Sequence, residues 1–108
     1  MNIKVRSRVT NNGTLYLKGC YADELFIFAS EDYIIQYDNQ EKTILIFPAG
    51  GNGRKLTKHN KSYLIHIPVK YDDFYNRDVI ITYDYDEKMV LIYSIKIEVA
   101  LNERNRNW

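Results

Sequence analysis

A single cysteine, Cys20, leaves the chain without an internal disulfide, and one thiol fits a reducing, intracellular setting. No apolar run approaches the roughly eighteen residues that a membrane-spanning helix needs, so a membrane partner is not expected. The opening MNIKVRSRV puts a charge at every second position and has no apolar segment, which does not read as a signal peptide. Charge of one sign is also missing: the net value of +1 excludes a strongly basic or acidic domain. Glycines number five, and three of them fall in Pro48-Ala49-Gly50-Gly51-Asn52-Gly53, the one flexible stretch and the natural joint of the chain.

What the chain does have is strand-forming residues. Ten tyrosines and many Ile and Val lean it towards a mainly β fold, and 108 residues suit one domain with a modest core. It also repeats itself. DYIIQYDNQEKTILIF (32–47) and DVIITYDYDEKMVLIY (78–93) agree without a gap at nine of sixteen places. Such internal similarity governs everything else read from a chain. Two tandem repeats, 3–47 and 54–97, are expected within one compact domain over 1–101, with 48–53 as the joint and NERNRNW (102–108) as a polar, mobile tail.

Along the first repeat, Ile3 to Val9 alternates cationic and apolar residues, the period of a half-exposed strand. Thr10-Asn11-Asn12-Gly13 predicts a tight hairpin turn, and Thr14 to Lys18 a returning strand. Ala22 to Phe28 predicts a short helix with Asp23 and Glu24 near its N-terminal dipole; a strand is the alternative. Tyr33–Tyr37 and Thr43–Phe47 flank Asp38–Lys42 as a hairpin whose strands are apolar on both faces, so both faces need cover. In the second repeat, strands at Lys55–Thr57 and Tyr63–Ile67 flank a turn at Lys58–Ser62. Pro68 is placed at the first position of a short helix, VKYDDFYN, and a second hairpin follows. Ile95 to Leu101 alternates again and predicts a closing strand.

Catalytic and metal chemistry find no constellation. Asp84-Tyr85-Asp86-Glu87 lacks the spacing of a calcium loop and reads as a hairpin turn. His59 and His66 have no further ligands at metal spacing, and Cys20 reads as a packed thiol. GGNGRK (50–55) lacks the spacing and the Ser/Thr of a phosphate loop. The chain is therefore read as neither an enzyme nor a holder of cofactor or metal. Tyrosines among basic residues could stack on bases, but most lie in the hairpins, where packing explains them. Positive charge is local: Lys4, Arg6 and Arg8 open the first repeat, and Arg54, Lys55, Lys58 and Lys61 open the second. Clusters of this size make an electrostatic footprint even near zero net charge.

KLTKHNKSYLIHIP (55–68), a basic strand, polar turn and apolar strand ending in Ile-Pro, resembles the opening of an AbrB/MazE-type swapped-hairpin domain. RDVIITYDYDEKMVLIY (77–93) resembles the second hairpin of that family, and RVTNNGTLYLK (8–18) is similar to its first strand and turn. The resemblance implies a small barrel of interleaved hairpins with one short helix per repeat. Here both halves would come from one chain, as a pseudo-twofold, monomeric pseudo-dimer or weak homodimer. It further implies a transcriptional regulator contacting duplex DNA through Lys4, Arg6, Arg8, Asn11, Asn12, Arg54, Lys55, Lys58, His59 and Lys61. The symmetry is expected to bring the two basic clusters to one side. A protein-binding module, antitoxin-like or a viral inhibitor of a host protein, is the alternative use of the same fold. The Ile-, Lys-, Asn- and Tyr-rich composition fits an AT-rich genome such as that of a virus or archaeon.

Overall fold

A computed structural model describes residues 2–26, 32–49, 51 and 53–95. The closing strand expected over 95–101 and the tail 102–108 lie, Ile95 apart, outside these residues. Among the described residues nine strands run β1 (Asn2–Arg8), β2 (Thr14–Lys18), β3 (Asp32–Asp38), β4 (Thr43–Pro48), β5 (Arg54–Lys55), β6 (Thr57–His59), β7 (Ser62–His66), β8 (Asp78–Asp84) and β9 (Met89–Ser94). Helix α1 (Gly19–Phe26) lies between β2 and β3, and a 3-10 helix (Val69–Phe74) lies between β7 and β8. The strands form two antiparallel sheets, in the orders β1-β8-β9-β4-β3-β5 and β2-β7-β6. The fold is mainly β, as the composition predicts. The expected closed barrel is not found among the described residues: both sheets are open.

The hairpins follow the sequence closely because their turns are made by local hydrogen bonds. Asp38 Oδ1 accepts the amides of Gln40 and Glu41 at 3.0 and 3.2 Å, and Asp84 Oδ1 accepts those of Asp86 and Glu87 at 3.2 and 3.0 Å. Each turn closes on a lysine with positive φ, Lys42 at 55° and Lys88 at 54°. A shift of 46 residues carries the pair Asp38↔Thr43 onto Asp84↔Met89. It also carries the seam between the hairpins onto itself: β4 meets β9 through Ile44↔Ile92, Leu45↔Leu91 and Ile46↔Val90. In the smaller sheet a shift of 48 does the same to β2 and β7, centred on Tyr16↔Leu64.

Four expectations are corrected. Thr10–Gly13 is not the turn of a hairpin, because β1 and β2 belong to different sheets and do not pair. Val9, fully buried, draws the chain down from one sheet to the other, and Leu56 does the same between β5 and β6. The turn is a corner, for which Gly13 takes φ 87°, leaving no room for a Cβ against the ring of Tyr75. Next, α1 begins three residues earlier than expected, so Asp23 and Glu24 lie beyond its first turn and the helix dipole does not explain them. Residues 27 and 28 of the expected helix lie outside the described ones. Finally, Pro68 is the N-cap, not the first residue, of a 3-10 helix kinked at Tyr71. The β6–β7 turn is also tighter than Lys58–Ser62, since β6 reaches His59 and Asn60 takes φ 57°.

The core lies between the sheets, where Leu15, Leu17 and Ile65 of the smaller meet Ile44, Ile46, Ile81, Tyr83 and Ile92 of the larger. Pairing crosses between the sequence repeats. β1 pairs with β8 along its whole length, and β5 pairs with β3 at Asp32 and Tyr33. The helices cross too: Tyr21 of α1 packs on Tyr83 at 5.3 Å, and Tyr71 stacks on Tyr37 at 5.0 Å.

Two aspartates 46 residues apart open the hairpins and do different work. Asp32, buried, accepts the amides of Gly51 and Gly53 at 3.0 and 2.8 Å and so holds the joint in place. Asp78, half-exposed, pairs with Arg8 at 3.0 Å and Arg6 at 3.5 Å. Asp32→Ala is expected to cost about 2–4 kcal/mol, because it removes a buried carboxylate and its charge-assisted bonds to the Gly51 and Gly53 amides. Asp78→Ala should cost roughly 1 kcal/mol or less, as exposed ion pairs do. Urea unfolding measures both.

Burial pushes the Tyr83 hydroxyl well above its ordinary range, partly offset by the Lys18 backbone. The unfolded chain therefore ionises first, and the stability this group confers, complete below about pH 10, is lost as pH rises above it. Unfolding free energy should fall by roughly 1 kcal/mol between pH 8 and 11 through this group. Tyr83→Phe should flatten that part of the profile in denaturant titrations at each pH.

Candidate functional site

The cations of β1 alternate with residues facing the core. Ile3, Val5 and Ser7 are partly buried, whereas Lys4, Arg6 and Arg8 are exposed on the opposite face of the large sheet, away from the small one. Arg8 is committed to Asp78, and its second guanidinium nitrogen bonds the Asn76 carbonyl and side chain at 3.1 and 3.0 Å. Lys4 lies 5.9 Å above the Tyr93 ring. Lys55 pairs in register with Asp32 at the other edge of that sheet. Lys58 sits 3.5 Å from Asp23, which also accepts the Tyr63 hydroxyl at 2.5 Å. The strand cations of the two repeats are therefore not gathered on one side, contrary to the expectation from symmetry.

The turns do converge on one sheet. Gly13 O accepts the Ile67 amide at 2.9 Å, which fastens the Asn11–Asn12 corner to one end of β7. Lys61 O accepts the Gly19 amide at 2.7 Å, which fastens the Asn60–Lys61 turn at the other end of the β2–β7 pair. Asn11, Asn12, His59 and Lys61 are all exposed. Between these turns lies the solvent face of the small sheet. Leu15, Leu17, Tyr63 and Ile65 point inward, so the alternate residues Tyr16, Lys18, Leu64 and His66 point out. Their partners across the sheet put Thr14 beside His66, Lys18 beside Ser62, and His59 beside Ser62.

The three strands of this sheet contain no aspartate or glutamate. Lys18, His59, His66 and the Tyr16 ring, 46% exposed, thus form a surface of donors and one aromatic plane with no carboxylate on its own strands. It can bind anionic oxygens and lie flat against an extended polyanion. Sequence reasoning took His59 and Lys61 into the site but missed Tyr16, Lys18 and His66. The signal was present, since TLYLK and SYLIH alternate with period two, but it identifies a face only when the pairing of β2 with β7 is known. Among the described residues no group of three or more His, Cys, Asp or Glu is placed to hold a metal, and no helix is long and apolar enough to cross a membrane.

Groups that a surface uses for binding contribute little to folding. Lys18→Ala and His66→Ala should each leave the unfolding free energy within about 0.5 kcal/mol of the parent value in urea titrations. Neither a family model, nor a curated protein, nor a solved structure matches this chain.

Proposed function

We propose that the chain is a small intracellular DNA-binding regulator built from two tandem swapped-hairpin units within one domain. Each unit lends its opening strand and its helix to the hairpin of the other. Support for the architecture comes from registers that map onto themselves under shifts of 46 and 48 residues, and from the crossed pairings β1–β8 and β5–β3. On this reading each hairpin finds its partner inside the chain, so a monomer is self-sufficient.

The observation that carries the function is the carboxylate-free outer face of the small sheet, flanked at both ends by asparagine-bearing turns. Three strands about 4.8 Å apart, β2 and β7 of five residues and β6 of three, offer a patch roughly 10 Å wide and at most about 17 Å long. A duplex carries one phosphate charge per roughly 1.7 Å of its axis, so such a patch meets several. Lys18 and Lys61 supply phosphate contacts, while Asn11, Asn12, His59 and His66 bring groups able to read base edges. The β1 arginines, paired with Asp78, contribute only at range.

Each phosphate contact adds about 0.9 to the slope of log affinity against log salt. Lys18→Ala with Lys61→Ala is expected to lower that slope by about two, measured by anisotropy on a random duplex across a salt series. Arg6→Ala with Arg8→Ala should leave it within about half a unit. Duplex binding no tighter than that of a simple polyanion, or a slope that follows the arginines instead, overturns the assignment.

A further inference from the structure

The two hairpins have the same register but different neighbours. β8 is paired by β1 from Asp78 to Asp84, whereas β3, its counterpart 46 residues earlier, is paired by β5 only at Asp32 and Tyr33. Among the described residues, no strand lies beside Ile34–Asp38 on that side. The Ala49 amide bonds the Asp32 carbonyl at 3.1 Å, so the backbone of Asp32 points towards β4. By antiparallel alternation Ile34 and Gln36 do likewise, and Ile35 and Tyr37 turn their N–H and C=O outward to the open edge. Pro48, opposite Tyr33, agrees with this, because a residue without N–H fits only the non-bonded position. Burial shows what is missing: Ile81 and Tyr83 under β1 are 1% and 0% exposed, while Ile35 and Tyr37 are only partly buried.

Beside this edge lie two adjoining cavities of about 430 and 440 Å³ that share Lys70 and Tyr71. The first is bounded by Tyr33, Ile35 and Arg54, the second by Tyr37 and Lys42. Of their charged walls, Arg54, Lys70 and Lys42 are cationic and Asp73 alone is anionic. We propose that the Ile34–Asp38 edge of β3 is a docking site for an acidic, extended peptide segment of a partner protein, added as an antiparallel strand. β1 on β8 is the internal template. The segment would bond Ile35 and Tyr37 as Val5 and Ile3 register with Ile81 and Tyr83, placing alternate apolar residues on Tyr37 and Tyr71 and carboxylates towards Lys70 and Arg54. A second copy of this chain fits poorly, since its own edge would bring cations to cations. A nucleic acid lacks the alternating amide donors and acceptors that an unpaired strand presents.

The test is an amide-resolved NMR titration of the full chain with a synthetic peptide of the β1 sequence Asn2–Arg8 bearing Lys4→Glu, Arg6→Glu and Arg8→Glu. Saturable shifts at the Ile35 and Tyr37 amides are expected. Methylating the two peptide nitrogens that face them should weaken binding about tenfold, the yield of two ordinary hydrogen bonds. Lys70→Glu in the protein, an exposed change, should weaken the acidic peptide severalfold and strengthen the unmodified β1 peptide. No saturable shift at these amides, or indifference to methylation, overturns the proposal. So does the same edge shifting with protein concentration alone, which assigns it to a second copy, or with a single-stranded oligonucleotide that displaces the peptide.

Discussion

Apolar residues on both faces of the same strands set the terms for this molecule. A strand such as Thr43–Pro48 cannot leave either face in water, nor can its hairpin stand alone, and each hairpin needs another beside it. The seam at Leu45↔Leu91 meets that need by joining the two most similar segments of the chain edge to edge. Once they are joined, the remaining elements have few places to go. β1 can reach only the far side of β8, and β5 only the far side of β3, because the inner edges are taken. The corner residues Val9 and Leu56 then carry the chain beneath, where the small sheet closes the core. Crossed pairing is thus a packing consequence of the seam.

Near-repetition in sequence has produced unequal surroundings, and these carry the chemistry. Asp32 and Asp78 hold the same place in their hairpins, yet one is sealed over by glycine amides and the other is open to two arginines. The glycine-rich joint explains the difference. It must pass from one side of β3 to the other around Asp32, and Gly53 comes so close to the Tyr33 carbonyl that a side chain there would collide with it. After that tight passage only Arg54 and Lys55 remain to pair before Leu56 turns inward. The shortness of β5, and with it the open edge of β3, is what the joint costs.

Locally determined features were legible in the sequence and remotely determined ones were not. The hairpin turns could be read because Asp38 and Asp84 bond amides two and three residues on. The alternation in Asn2–Arg8 and Thr14–Lys18 was equally plain. Their pairing was not, since Asn12-Gly13 serves a corner as well as a hairpin, and only the burial of Val9 decides between them. The same limit applied to the site. Lys58 looked like a free cation until Asp23, 35 residues earlier, was seen beside it, while Tyr16, Lys18 and His66 gained their meaning from facing strands.

The pairing of β1 with β8 also has a consequence in time. Arg8 and Asp78 are 70 residues apart in sequence, whereas each hairpin closes within a few residues. Contacts so distant demand that much chain be ordered before they repay it, and they form late. The hairpins and their seam can assemble first, leaving β8 bare along the edge that β1 later covers. For that interval the molecule has two open edges of the same shape, and its own first strand is the ligand that silences one of them.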